Sequence, residues 1–320
     1  MKISLIINNL VCPRCKNKII KSENFFKCNK CGINYPLVNN IPILINEENS
    51  LFSIKDFTNN KKTTREINIS QRKKKVEGIA KKIIPNISLN INSKRNFLKL
   101  SNLLSKKKDN SKVLVIGGGE LGKGIESIMN NSKVNLIEGD VYFGDRVQII
   151  FDAHDLPFNS NSFDAVIIQA VLEHVVDPYR CVEEIKRILK KDGIVYAETP
   201  FMQQVHENEF DFTRFTLGGH RRLFRYFREI DSGVICGPGM TLAWSIDRFF
   251  ESFSKSKVML IFRKGILPFF IFWLKYFDYY FVRKPWVSNN ASGIFFMGIK
   301  SEKFISDKEI IKNYWRNKIE

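Results

Sequence analysis

Four cysteines near the start of the chain restrict its folding more than any other feature of the sequence. They form two Cys-x2-Cys pairs, Cys12 with Cys15 and Cys28 with Cys31, and twelve residues separate the pairs. Each pair directs two thiolates to one point, so two pairs make a closed tetrahedral site of the kind that holds structural zinc. A unit of this size buries too little apolar surface to fold without such a metal. We therefore predict a zinc ribbon over residues 1–46, and we expect loss of the metal to unfold this ribbon alone.

The same segment resembles a known type of zinc ribbon. The run CNKCGINYPLVNNIPILI contains the second cysteine pair, Gly32, the Tyr35-Pro36 dipeptide and an apolar end at residues 41–44. In these features residues 8–46 are similar to the ribbons of the tRNA-methyltransferase-activator type. The resemblance implies a structural Zn²⁺ ion bound by the four cysteines.

Most of the chain's net charge of +18 lies in the segment that follows. Residues 55–112 contain 17 Lys or Arg and 4 Asp or Glu. We interpret residues 47–110 as a basic helical connector, with an amphipathic helix around Val76, Ile79 and Ile83. Such a segment suits RNA phosphates, anionic lipid or a solvated surface, and its shortage of aromatic residues makes RNA the weaker of these alternatives. The cysteine pairs and the lack of a secretory signal favour the cytoplasm, with the inner face of the membrane as an alternative location.

Residues 111–200 alternate between strand and helix patterns. Five apolar runs predict strands, at 112–119, 133–140, 147–151, 163–174 and 194–200. Before the fifth run, Asp177 and Pro178 mark the start of a helix. Alternation of this kind is typical of an α/β protein with a parallel sheet.

A glycine-rich turn follows the first of these strands. Gly117, Gly119 and Gly122 have the GxGxxG spacing, which lets the backbone approach a ligand at a helix N-terminus. An acidic residue near the end of the second strand would accept hydrogen bonds from ribose hydroxyls. Asp140 is the first candidate for that role, and Glu138 is the alternative.

The stretch beyond the glycines resembles the class I S-adenosylmethionine (SAM)-dependent methyltransferases, more narrowly their type 11 branch. The runs DAHDLPF, SFD, VLEHV and EIKRILKKDG, all between residues 152 and 193, occur in the family's order. The resemblance covers about residues 112–300. It implies a Rossmann-like domain over 111–302, with a seven-stranded sheet whose last strand is antiparallel. An aromatic insertion at about 240–290 would interrupt this domain, and 303–320 would be a C-terminal tail.

The resemblance also implies roles for individual residues. The three glycines would flank the methionine part of SAM, and Asp140 would hold the ribose. Asp152 and Ala153 would contact the adenine, and Gln169 would line the side of the methionine and the substrate. The chain departs from the family pattern at Val115, where an acidic residue is common.

The loop after the fifth strand is the candidate acceptor site. It contains His206, Asp211 and Arg214 in a run that resembles one subgroup of these enzymes. His206 could remove a proton from a sugar hydroxyl, Asp211 could orient His206, and Arg214 could bind an anionic group. Alternatively, Asp211 and Arg214 pair with each other to hold the loop. We interpret His174 as structural and His220 as a surface residue.

These patterns together predict a SAM-dependent methyltransferase that acts on a glycan, a lipid-linked sugar or a related small molecule. An RNA methyltransferase that uses the ribbon and the connector is one alternative, and a non-catalytic SAM-binding or scaffold protein is another. The aromatic stretch near residues 265–282 is too short and too interrupted to span a membrane. It suits either a helix at the membrane surface, and so a peripheral membrane contact, or a buried core helix or lid over the substrate.

Overall fold

The computed structural model describes residues 7–59, 83–107, 110–119, 122–253 and 256–319. Eleven strands are present in these ranges: β1 Ile19–Lys21, β2 Phe25–Cys28, β3 Asn34–Val38, β4 Ile41–Leu44, β5 Ser111–Ile116, β6 Val134–Asp140, β7 Ile149–Phe151, β8 Phe163–Gln169, β9 Leu189–Pro200, β10 Phe227–Cys236 and β11 Gly293–Lys300. The α-helices are α1 Ile54–Thr58, α2 Ser93–Lys107, α3 Glu126–Met129, α4 Pro178–Ile188, α5 Leu217–Leu223, α6 Pro238–Glu251, α7 Lys257–Ile261, α8 Leu267–Ile271, α9 Asp278–Phe281 and α10 Asp307–Ile319. The predicted helix around Val76 and Ile79 lies outside the described residues.

The strands form one sheet in the order β1-β2-β3-β4-β7-β6-β5-β8-β9-β11-β10. The prediction of a seven-stranded sheet was therefore wrong in number, because β1–β4 of the N-terminal segment extend it to eleven strands. Seven of the strands come from residues 111–300. Among these, β7, β6, β5, β8 and β9 are parallel, whereas β11 pairs antiparallel with both β9 and β10. The expected antiparallel final strand is confirmed.

Successive side chains of a strand point to opposite faces of the sheet, and in the parallel strands both sets are apolar. Helices therefore cover both faces. Leu114, Ile116 and Val166 belong to one buried cluster, which also contains the inner face of α4. Val113 and Val115 belong to a second cluster, with the inner face of α2. Asp177 caps α4 and Pro178 occupies its first turn, as predicted. The parallel strands are thus buried on both faces, and their carboxyl ends remain available for a ligand.

The cysteine-containing segment packs directly against this sheet. In β4, Ile43 pairs with Ile150, and Leu44 pairs with Phe151, in parallel register. The backbone N–H of Val11 donates to the carbonyl of Pro157 over 3.0 Å. Side chains of both segments share one hydrophobic core, which includes Leu10, Phe26, Tyr35, Phe151 and Phe158. The N-terminal segment is therefore a structural extension of the sheet.

The aromatic insertion is a set of short helices held against α6. The carboxylate of Asp278 accepts from the backbone N–H groups of Gly239 (2.6 Å) and Met240 (3.0 Å) at the start of α6. Leu267, Ile271 and Leu274 are buried against that helix. On the outer side, many aromatic and aliphatic residues are exposed, including Val258, Ile261, Phe269, Phe270, Trp273 and Tyr280. Within the described residues, none of the helices combines the length and the apolar character needed to cross a bilayer.

Candidate functional site

A cavity of about 480 Å³ opens at the carboxyl ends of the parallel strands. Ligands bind at this edge in open α/β sheets because the loops between strands and helices converge there. The cavity is lined by residues from three sources. The connector contributes Leu51, Phe52 and Asn90. The strand ends and the turns that follow them contribute Gly117, Gly122, Asp140, Asp152, Ala153, Gln169, Glu173, His174 and Glu198. The loop after β9 contributes Gln203, His206, Glu207 and Phe210.

The glycine turn closes against the end of β6. Gly117 has a φ of +82°, which L side chains rarely adopt. The backbone N–H of Gly119 donates to Asp140 Oδ2 over 2.8 Å. Asp140 also lines the cavity, whereas Glu138 is bonded to Arg146 through contacts of 2.6–3.1 Å and does not. The geometry thus favours Asp140 over its alternative, Glu138.

Asp152 at the end of β7 already has hydrogen-bond donors in the protein. Ser50 donates its hydroxyl to Asp152 Oδ2 over 2.6 Å, and His154 Nδ1 lies 2.6 Å from Oδ1. Although burial alone would raise the pKa of Asp152, the bonds to His154 and Ser50 lower it below the usual value. The neighbouring Ala153 is buried and lines the cavity. Asp152 therefore ties the connector to the edge of the cavity, and this contact between distant segments was not predicted.

Gln169 and Glu198 form a polar network at the ends of β8 and β9. Gln169 donates to Glu198 Oε2 over 2.6 Å, and Ser93 donates to Glu198 Oε1 over 2.7 Å. Gly122 lies so close that an added Cβ would be 1.5 Å from Gln169 Oε1. Burial raises the pKa of Glu198, which bonds from Tyr196 and Ser93 partly offset. Sequence reasoning missed Glu198, although its place at the end of the fifth strand was a usable signal.

The candidate acceptor residues lie together, but they differ in access to the cavity. Arg214 forms a bidentate pair with Asp211 and donates its Nε–H to the carbonyl of Gln203 over 2.9 Å. Burial would raise the pKa of Asp211, but the Arg214 guanidinium and the backbone N–H of His206 lower it to about 2. Of the three residues, His206 lines the cavity. The geometry favours the alternative in which Asp211 and Arg214 hold the loop.

Two further residues face the cavity from the turn after β8. Glu173 is 1% exposed, and burial raises its pKa to about 8. His174 lies beside His206, with ring centroids 4.9 Å apart, and burial lowers the pKa of His174. The interpretation of His174 as a merely structural residue therefore missed its place on the cavity wall. His220, expected on the surface, is fully buried among Phe215, Phe224 and Phe296 because its ring packs within the aromatic core.

The four cysteine sulfurs converge in a second site. Cys12 Sγ lies 3.5 Å from Cys31 Sγ, and Cys15 Sγ lies 3.4 Å from Cys28 Sγ and 3.8 Å from Cys31 Sγ. Four thiolates at about 2.3 Å from a tetrahedral zinc ion would be roughly 3.8 Å apart. The arrangement therefore fits the metal expected from the spacing. No disulfide joins these cysteines, which are all free thiols.

Comparison with known proteins finds similarity in the central part of the chain. Residues 132–197 match a family model described as a methyltransferase domain. A demethylmenaquinone methyltransferase of Clavibacter sepedonicus is 48% identical over 56 residues, which are 17% of this chain and 23% of that protein. The match thus spans about a quarter of this curated relative.

Two solved structures superpose loosely on the chain. Phosphoethanolamine N-methyltransferase 2 of Haemonchus contortus has 15% identity and a TM-score of 0.44, covering 74% of this chain and 61% of that chain. A chain from the complex of the Haloferax volcanii Trm112 methyltransferase activator has 17% identity and a TM-score of 0.38. It covers 71% of this chain and 96% of that chain.

Proposed function

We propose that this chain is a SAM-dependent methyltransferase that methylates a hydroxyl group of a glycan, a lipid-linked sugar or a related small molecule. One observation carries the proposal. A single cavity joins the glycine turn and Asp140, at the expected cofactor end, to His206 in the loop after β9. A methyl donor and an acceptor bound there would meet inside one protein-lined space, which is the main requirement for transfer.

At the cofactor end, the chain offers donors and acceptors that suit SAM. Asp140 would accept from the ribose hydroxyls, and the glycine turn would lie along the methionine part. Asp152 and Ala153 would contact the adenine. Asp152 would keep its hydrogen bonds to Ser50 and His154 when SAM is bound. SAM supplies an electrophilic methyl group when it is bound.

Glu198 would take the role of the acidic residue that the family commonly has at the position of Val115. Its carboxylate lines the cavity and accepts from Ser93, Tyr196 and Gln169, which are all neutral donors. A buried carboxylate is stabilised further by a positive partner. The amino group of the methionine part would provide that charge, with Gln169 holding Glu198 in place.

At the acceptor end, His206 would take the proton of the hydroxyl. Its Nδ1 lies 3.3 Å from the carbonyl oxygen of Gln204 and 3.4 Å from Asp211 Oδ2. Arg214 Nη2 also lies 3.4 Å from Nδ1, but its two N–H groups have nearer acceptors in the Gln204 carbonyl (3.2 Å) and Asp211 Oδ2 (2.7 Å). With a proton on Nδ1, Nε2 of His206 would be the base. The acceptor oxygen would then bond to the methyl carbon while the methyl–sulfur bond breaks, sulfur keeping the electron pair and His206 the proton.

The metal proposed for the four cysteines is a structural Zn²⁺ ion. The sulfurs converge from two tight turns and leave no open position for a substrate. Its role would be to hold residues 8–46 on the edge of the sheet, next to Ser50 and the adenine end of the cavity.

The first prediction tests the cofactor site through Asp140. Replacing Asp140 with alanine should weaken SAM binding by about 1–3 kcal/mol, or roughly 5- to 150-fold, because ribose donors lose their acceptor. Isothermal titration calorimetry measures the change. Asp145→Ala, an exposed carboxylate nearby, should bind SAM as the unmodified protein does. Unchanged affinity in Asp140→Ala would remove this residue from the site.

The second prediction tests the acceptor class through the exposed face of the insertion. Phe269, Phe270 and Trp273 are exposed, and so is Lys264 in the same insertion, a composition that suits an anionic membrane surface. Among the described residues, none between 240 and 290 lines the cavity, so this face is proposed to hold the protein near a lipid-linked acceptor. Flotation with anionic vesicles should recover the protein, and changing these three residues to serine should abolish recovery.

The control for flotation is Phe304→Ser, which removes an exposed aromatic residue outside the insertion. It should leave vesicle binding unchanged. Salt-sensitive binding to RNA without vesicle binding would instead favour the RNA methyltransferase. Mass spectrometry of the host's glycans and RNA, with and without the gene, would then identify the acceptor.

A further inference from the structure

Three potential metal ligands meet at the acceptor end of the cavity. One carboxylate oxygen of Glu173 and one ring nitrogen each of His174 and His206 lie within 4.8 Å of one another. His174 Nε2 is 3.7 Å from Glu173 Oε1. Small side-chain movements would bring such atoms to the roughly 2.0–2.2 Å that imidazole and carboxylate ligands keep from an ion such as zinc. Because all three residues line the cavity, an ion held between them would face the acceptor.

The burial of Glu173 with no hydrogen-bond partner among the described residues is an independent observation at the same place. The residue is 1% exposed, and among the described residues neither carboxylate oxygen has a hydrogen-bond partner. Burial of an ionised carboxylate is costly unless the group is paired or coordinates a metal. A buried polar group that lacks a partner therefore calls for an explanation, and a bound ion is one such explanation.

The two histidines also have the outer contacts that metal-binding histidines usually show. His174 Nδ1 lies 2.8 Å from the carbonyl oxygen of Phe210. His206 Nδ1 faces the carbonyl of Gln204 and the carboxylate of Asp211, which Arg214 holds in place. A hydrogen bond from one ring nitrogen to such an acceptor fixes the tautomer and presents the other nitrogen to an ion. His174 is thus prepared to bind through Nε2, the nitrogen that lies 3.7 Å from Glu173 Oε1.

Backbone hydrogen bonds join the two loops that carry these three side chains. Phe212 and Thr213 donate their backbone N–H groups to the carbonyl of Glu173 over 2.8 and 3.2 Å. The turn after β8 and the loop after β9 are therefore joined beside the three side chains. This connection holds the histidine of one segment against the carboxylate of the other.

We propose that Glu173, His174 and His206 bind one divalent first-row transition-metal ion. Two imidazoles and one carboxylate would occupy one side of the ion and leave the other positions open. The metal's role in catalysis rests on the proposed function, since an acceptor hydroxyl oxygen would fill an open position. A bound ion lowers the pKa of a hydroxyl, whose proton would then pass to water. His206 would in that case act as a metal ligand in place of a base.

Manganese binding to the full chain tests this site without an acceptor. Mn²⁺ prefers oxygen and nitrogen ligands to thiolates, so the four cysteines do not compete for it. The electron paramagnetic resonance signal of free Mn²⁺ should decrease when protein is added, by an amount that corresponds to one bound ion per chain. Glu173→Gln and His206→Gln should each weaken binding by at least about tenfold. Glu173→Gln retains the side-chain volume and removes no hydrogen bond among the described residues, so its metal-free melting temperature should stay level.

The control is Glu138→Gln, which replaces another buried carboxylate but lies outside the cavity. Its Mn²⁺ affinity should equal that of the unmodified protein. No bound Mn²⁺, or equal affinity in all variants, would overturn the site. SAM calorimetry on the same samples separates the two proposals. SAM binding without Mn²⁺ binding would overturn the metal site alone, and Mn²⁺ binding without SAM binding would overturn the proposed function alone.

Discussion

Replacing Cys28 with serine is expected to abolish binding of the proposed zinc ion and to unfold the whole protein in one transition. A structural zinc contributes about 10–16 kcal/mol to the folding of a small domain, which matches or exceeds the roughly 5–15 kcal/mol stability of ordinary proteins. Cys12, Cys28 and Tyr35 lie in the same core as Phe151 of β7 and Phe158. The expectation that the ribbon would unfold alone is therefore revised, because its strand β4 and its apolar side chains are part of the larger sheet.

Metal analysis and urea unfolding together measure this effect. Circular dichroism and intrinsic fluorescence should report one shared transition, and SAM binding should be lost with it. Cys181→Ala removes a buried cysteine outside the cluster, so it should retain one metal ion per chain. Purified protein without stoichiometric metal would contradict the zinc assignment. A separate early transition that leaves SAM binding intact would show that the ribbon is energetically independent.

Replacing His206 with alanine is expected to lower methyl transfer by about 10²–10⁴-fold while SAM affinity is retained. The ring lies on the cavity wall at the acceptor end, next to His174. The expected loss is the same whether His206 takes the proton or binds a metal ion, since either role activates the hydroxyl. The measurement is the rate of transfer from isotopically labelled SAM to the acceptor found in the host, with calorimetry for SAM affinity.

Glu209→Ala is the matched control, since this exposed residue belongs to the same loop. It should change neither rate nor affinity. If His206 only supports the loop, turnover and melting temperature will fall together in His206→Ala. If SAM binds but neither protein transfers a methyl group, the chain is better described as a non-catalytic SAM-binding protein.

The elements that the sequence determined are those specified by short spacings. The positions of Cys12 and Cys15 fix where their sulfurs point within one turn. Parallel strands buried on both faces require continuous apolar runs, which appear directly in the sequence. The glycine turn and the start of α4 at Asp177 likewise depend on residues a few positions apart. These local constraints were enough to predict the parallel strands, the four-cysteine cluster and the glycine turn that closes against Asp140 at the cavity.

The tertiary structure alone decided how distant segments complete the site. Ser50 reaches Asp152 across 102 positions, and β4 adds the ribbon to the sheet beside β7. Glu173 and His206 likewise meet because two loops converge at one edge of the sheet. A sequence pattern records which residues are neighbours along the chain, but burial and pairing depend on packing between segments. That is why the sequence identified His206 but could not reveal that Glu173 lies buried near it, with no hydrogen-bond partner in the part of the chain that the structure describes.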